Sequence, residues 1–277
     1  MKDLTDSASG VFEDYGLYTQ VEQLNKTALK AHGVDPNGQL YKINSFEFYR
    51  YEDVIRLTTD PAYDQTAFEK HLEIKGNSDH SKLIKMLDVL NDESSSMDDE
   101  LFVTYFDKEN IAYWMAFQLL TGNTDTQNRN VYLYSPQNSS KWYLWDWDND
   151  GMLRRREREI INFSDSESWE RGVSNYWGNV LFRRCLQTQS YRDLLDTAMK
   201  ELYAYMNEER IQSMMEHYRS VTEKYVWQMP DRMNVPITHD EYEEVLKSIW
   251  PEIDENYNYY WESYRKPMPF YIGERRW

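Results

Sequence analysis

The chain has 277 residues, 48 acidic against 31 basic side chains, and a net charge of −17. Its 40% hydrophobic and 16% aromatic content exclude a disordered chain, and its length allows a sizeable core. The acidic balance argues against nucleic acid and anionic membranes as partners and favours a basic protein.

The opening Met-Lys-Asp-Leu-Thr-Asp is not a signal peptide, and no apolar run reaches membrane-spanning length, so no transmembrane segment is expected. Residues 10–22 read as strand, tight turn, strand, because Glu-Asp-Tyr-Gly sits between β-formers. Residues 23–32 read as a short helix stopped by Gly33. Asp35-Pro36-Asn37-Gly38 predicts a turn before a strand over 39–43. From about Thr66 the pattern turns helical, and residues 79–91 carry one broad apolar face. Residues 94–99 read as a linker leading into a helix.

Residues 110–120, NIAYWMAFQLL, are apolar nearly all round, which predicts a buried central helix. It delivers the chain through Thr121-Gly122 into a polar loop ending at Asn130. A hairpin follows, with strands over 131–134 and 142–145 joined by a Ser-Pro-Gln-Asn-Ser-Ser turn. Arg154 to Glu159 is a charge run expected to be solvated. From Ser174 onward the sequence reads as helices over 177–186, 191–205, 211–226 and 239–264, with Thr238 as a cap and Asn207 as a break. The one cysteine, Cys185, lies in an apolar helical setting and reads as a buried thiol. The five histidines show no zinc spacing.

The hairpin returns a second acidic cluster, Asp146-Trp147-Asp148-Asn149-Asp150, to the side of the first, Asp125 to Asn130. Converging carboxylates are hard oxygen ligands, suited to magnesium, manganese or calcium. Asp125 and Asn130 stand in a D-x-x-x-x-N pattern after a buried helix. That is the spacing of a kinase catalytic loop, in which the aspartate accepts a hydroxyl proton and the asparagine binds metal. The usual His-Arg before the aspartate is replaced by Asn123-Thr124, and Asp and Asn also crowd ordinary loops. Asp146 follows one hairpin later, where a kinase places its metal-binding aspartate; the plainer reading is an acidic turn.

The same segment fits a second chemistry. Residues 146–157 match the EF-hand loop D-x-[DN]-x-[DN]-G-x5-E, with Asp146, Asp148 and Asp150 leading to Glu157. A strand rather than a helix precedes it, which departs from an EF-hand. Residues 16–22 could form a hinge strand pairing with a base, or a plain hairpin strand. Lys42 could meet a phosphate, or be an exposed strand lysine.

Several blocks in order resemble one family. They are GVFEDYGLYTQVEQLNKTAL, DPNGQLYK, FDKENIAYWMAFQLLTGNTDTQNRNVYLY and SSKWYLWDWDNDGM, with NYWGNVLFRRCLQTQSYRDLL similar to a post-catalytic helix. The chain resembles the spore-coat protein H (CotH) kinase-like proteins, which are atypical protein kinases. The resemblance implies one α+β, protein-kinase-like domain over 1–277, a small N-terminal β element with a large mainly helical lobe. Residues 1–60 would supply the hinge and partial small-lobe strands, and 61–277 the catalytic lobe.

It also implies transfer of the γ-phosphoryl of ATP, with Mg2+ or Mn2+, to a protein serine or threonine. Asp125 would be catalytic, Glu22 and Asn130 would contact the nucleotide complex, and Asn130, Asp146 and Asp148 would hold metal. The family's phosphate-covering loop and basic strand have no counterpart ahead of residue 10, so the chain is expected to be the catalytic-lobe part. A calcium-binding surface protein and a non-catalytic scaffold are the other two expectations. Family likeness points to the spore coat or the cell exterior.

Overall fold

The computed structural model describes residues 16–161 and 176–264. Its architecture is α+β, a small antiparallel sheet against a larger helical part. In chain order come α1 (Lys26–Ala31), β1 (Gln39–Ile43), α2 (Gln65–Glu69), β2 (Leu72–Ile74), α3 (Ser81–Asn91), α4 (Lys108–Leu120), β3 (Val131–Ser135) and β4 (Tyr143–Asp146). Then follow α5 (Arg155–Ile160), α6 (Val180–Gln187), α7 (Gln189–Tyr205), α8 (Glu208–Val226) and α9 (His239–Tyr259). No helix among the described residues is long and apolar enough to cross a membrane.

The strands lie in the order β2-β1-β3-β4, each pair antiparallel. Side chains alternate between the two faces, as the period of a strand requires. Tyr41, Ile43, Val131, Leu133 and Leu144 enter the main core. Leu40, Tyr132 and Tyr134 face the other way, where Leu29 of α1 covers them beside Trp145 and Trp147. By the same alternation Asp146 falls on the core side of β4, and a one-residue slip would turn it away.

Helix α4 forms where Asp107 caps its first turn, accepting from Asn110 N at 2.8 Å. Ile111, Ala112, Met115, Ala116 and Leu120 are fully buried. Each such aliphatic side chain, Ala apart, stabilises the fold by about 1.5–3 kcal/mol. The helix packs most extensively on α7. Its Asn110 also mimics a neighbouring strand: Oδ1 accepts from Leu144 N at 2.7 Å and Nδ2 donates to Leu144 O at 3.1 Å. One step back on the same edge, Trp142 N donates to Tyr105 O at 2.7 Å. The last turn of α3 is closed from α6, where Arg184 Nη1 donates to Leu90 O at 2.6 Å and Asp92 O at 3.0 Å.

Several expectations need correction. Residues 16–24 form no strand, and residues 10–15 lie outside the described ones. Leu17 N donates instead to Asp231, at 3.1 and 3.0 Å from its two carboxylate oxygens. The sheet, ordered β2-β1-β3-β4, includes none of residues 16–24. Glu22 is therefore not in a hinge strand; it pairs with His32 Nε2 at 2.7 Å. The linker over 94–99 runs into a π-helical turn, Met97–Tyr105, capped by Ser96. The charge run is not merely solvated, because α5 packs on α9 through Arg155–Glu255 and Arg156–Glu244 pairs. Helix α9 ends at Tyr259 and continues as a π-helical turn, Tyr260–Tyr264. Its Thr238 cap is as expected, completed as a capping box by Glu241.

His80, wholly buried, lies between Tyr41 OH at 2.9 Å and Tyr63 OH at 3.1 Å and stacks on Phe68. Burial pushes its pKa down from 6.5 to about 4. The unfolded chain takes up a proton near pH 6.5 and the native one only near 4, so this group's stability is lost as pH falls through that window. The loss should reach roughly 3 kcal/mol. Urea unfolding of the protein and of His80→Gln between pH 7 and 4 should show a flatter pH slope in the variant; parallel slopes would refute this.

Candidate active site

The site is built where α4 ends. Gln118 is the one amide in an otherwise apolar buried stretch, so its polar atoms need partners. Its Nε2 donates to Asp146 Oδ1 at 2.7 Å, and its Oε1 accepts from Asn123 Nδ2 at 2.9 Å. Asn123 Oδ1 in turn accepts from Asp125 N at 3.3 Å. A hydrogen-bonded line therefore runs from Asp146 through Gln118 and Asn123 to the backbone of Asp125. It fixes the spacing of two carboxylates that lie 21 residues apart in sequence.

Asp125 and Asn130 are in contact, with Asn130 Nδ2 donating to Asp125 Oδ2 at 2.9 Å. That bond leaves the Asn130 carbonyl oxygen as the atom available to a cation. Asp125 Oδ1 accepts from Arg129 Nε at 2.6 Å. Asn130 has φ of 55°, a left-handed conformation that Asn tolerates better than most residues. The next residue, Val131, is the register partner of Asp146. The hairpin thus returns Asp146 beside Asn130, as the spacing predicts.

The second cluster interlocks with the first. Asn123 Nδ2 also donates to Asn149 Oδ1 at 3.2 Å, and Leu153 N donates to Thr121 O at 2.9 Å. Gly151 is buried, and a Cβ there would come within 2.9 Å of Asn123 Oδ1. Asp148 has φ of 57° and is exposed.

From the other side, loop 123–130 is held by the core. Tyr176 OH lies 3.4 Å from Thr126 Oγ1. Asn179 donates to Gln127 O at 2.9 Å, and Asn128 Nδ2 donates to Glu47 Oε1 at 2.6 Å. Gln118, Asn123, Tyr176 and Glu47 are not apparent as site residues from the sequence. The signal for Gln118 is a polar side chain inside an apolar helix; the others leave none.

Asp146 reaches solvent, yet the protein around its carboxyl pushes the pKa up to about 6. The Gln118 amide opposes that rise, as does the nearby Trp114 indole, whose N–H closes no hydrogen bond within standard geometry. Among the described residues, neither Asp146 nor Asp148 has an ion-pair partner in the protein. The donor set of Asn130 carbonyl and two carboxylates is all oxygen, which fits a hard divalent cation.

The calcium-loop reading fares less well. The loop is entered from β4, and Glu157, its twelfth position, gives both carboxylate oxygens to Arg154, at 3.1 and 2.9 Å. Elsewhere among the described residues, Glu223, His239 and Glu243 group their ligand atoms within 4.8 Å. Arg219 pairs with both of those carboxylates and balances their charge. Glu22 is placed by its bond to His32 beside α1, and no bond among the described residues joins it to Asp125, Asn130 or Asp146. Lys42 is half-buried, its Nζ 5.6 Å from the Trp147 ring centre.

The family model described as CotH kinase protein matches residues 5–260 of the chain. No curated protein matches it.

Proposed function

The chain belongs to the CotH kinase protein family, and from that premise we propose that it is an atypical protein kinase, transferring the γ-phosphoryl group of ATP to a protein serine or threonine. One observation carries the reading: Asp125 bonds to Asn130, Asn130 abuts the register pair of Asp146, and a buried amide line fixes Asp146 relative to Asp125. That arrangement separates one carboxylate for the proton from another for the metal.

Asn130, Asp146 and Asp148 would hold Mg2+ or Mn2+, which when bound neutralises charge on the phosphates. Asp125 orients the incoming hydroxyl through an oxygen that keeps a lone pair beyond its bonds to Arg129 and Asn130. The hydroxyl oxygen bonds to the γ-phosphorus, the β,γ-bridging P–O bond breaks toward ADP, and the hydroxyl proton passes to Asp125. The surface charge of −17 favours a basic protein as acceptor.

Thermal unfolding with ATP, Mg2+, Mn2+ and Ca2+, singly and combined, tests the site. Ligand at 100 times its Kd should add about 2.7 kcal/mol of stability. A shift requiring both ATP and Mg2+ or Mn2+, and absent from Asp146→Ala, is expected. A shift with Ca2+ alone, or none with any ligand, would overturn the proposal.

A further inference from the structure

Helix α8 has 19 residues and not one of them is buried. It is held at its start by the Asn207 cap and along one side by Arg219, which reaches Glu243 of α9. A lone helix of this kind gains little from propensity, and its stability normally comes from a packed apolar face.

The apolar face exists but has nothing on it among the described residues. Met214, Tyr218, Val221 and Tyr225 are 50%, 63%, 52% and 36% exposed. At 3.6 residues per turn they form one stripe, extended by the half-buried Ile211. The side facing α9 carries Gln212, Met215, Glu216 and Arg219, roughly a third of a turn away. The stripe is therefore additional to the packing of the helix on its own domain.

Charge along the stripe is one-sided. Arg210, His217 and Lys224 recur at seven-residue spacing along one flank, and all three are exposed. The two acidic residues between Arg210 and Tyr225, Glu216 and Glu223, lie toward α9, Glu216 in the groove lined by Glu243 and Trp250 and Glu223 beside His239. Arg210 lies over the Tyr205 ring and Lys224 over the Tyr225 ring, and neither is in an ion pair among the described residues.

We propose that this face of α8 docks an amphipathic helix of another protein, with an apolar stripe flanked by aspartate and glutamate. Charge selects that occupant. A second copy packed antiparallel would set basic flank against basic flank, and each copy carries −17. An acidic-flanked helix instead finds the apolar contact and the basic flank on one surface, a helix-against-helix mode of recognition. The site is independent of phosphoryl transfer.

The probe is a labelled synthetic peptide of about three heptads with apolar a and d positions and glutamate flanks, beside a twin with lysine flanks. Fluorescence anisotropy with the full chain should show the glutamate peptide binding and the lysine peptide not. Arg210→Glu with Lys224→Glu should weaken the glutamate peptide by about tenfold or more and admit the lysine one. Tyr218→Ser with Val221→Ser should abolish binding of the glutamate peptide. Because all four positions are exposed, unchanged circular-dichroism melting will show that the variants fold. Equal binding of both peptides, binding of neither, self-association that Val221→Glu abolishes, or binding to anionic vesicles instead would each overturn the proposal.

Discussion

Replacing Asp125 by Asn is expected to lower phosphoryl transfer by ~10²–10⁴-fold while leaving ATP and metal binding in place. The two effects separate because Asp125 is not in the proposed metal set. The isosteric amide can still bond to its neighbours but cannot take the hydroxyl proton. Asn130 would keep a partner at the position Asp125 Oδ2 now fills, 2.9 Å from its Nδ2. The melting shift with ATP and Mg2+ should survive, and KM for ATP should change little against the fall in kcat. Asp146→Ala should do the reverse first, removing the nucleotide-dependent shift itself. Incorporation of labelled phosphate into a serine- and threonine-containing basic protein measures both. Asp125→Asn turning over within about twofold of the parent would sink the assignment of Asp125 as base.

Phe182→Ala should cost about 3–5 kcal/mol of stability. Phe182 is 1% exposed and lies between two aromatic rings. It stacks on Trp114 with centroids 5.2 Å apart, and meets Tyr176 edge-on at 5.1 Å. Those two rings stand behind the site: Trp114 lies near Asp146, and Tyr176 OH faces Thr126. The cavity left by the missing ring would therefore open directly beneath both acidic loops, and α4 and α6 are too firmly packed to close it. Urea unfolding should show the midpoint drop with an unchanged slope. Phe182→Leu, which keeps most of the volume, should cost less than about 1.5 kcal/mol. A loss below about 1 kcal/mol for Phe182→Ala would mean that the surrounding rings collapse into the space.

What the sequence shows of this fold follows the length scale of the forces involved. The hairpin over 131–145 and helix α4 are legible because their patterns are local: alternation, a polar turn, and an apolar helix of fixed length. The cap at Thr238 is legible because a cap involves neighbours within one turn. The missing strand over 16–22 fails for a non-local reason. Its residues favour a strand, but the partner expected at 10–15 lies outside the described residues, and Leu17 is held by Asp231, far along the chain. The short β2, only three residues, gains its place by pairing and has no pattern of its own. In the candidate site, Asp125, Asn130, Asp146 and Asp148 stand out because carboxylates and an amide in two clusters joined by a hairpin imply convergence. The line through Gln118 and Asn123 depends on which end of α4 meets which strand, and that is set by tertiary packing. The charge run at Arg154 to Glu159 misleads for the same reason: its partners, Glu244 and Glu255, lie far along the chain.

The Asn110 amide has a consequence for the life of the protein before and after it folds. A terminal strand with unpaired amides and carbonyls is a template on which another chain can lay itself down. Here the Tyr-Leu-Trp sequence of β4 is the kind of aromatic, β-favouring segment that such stacking uses. Asn110 and the backbone at Tyr105 occupy that template from within, at Leu144 and Trp142. The same two bonds that seat helix α4 against the sheet therefore also close part of the β4 edge to a further strand. That cover is in place only once α4 has docked, so any partly folded state with α4 undocked would leave the edge of β4 open.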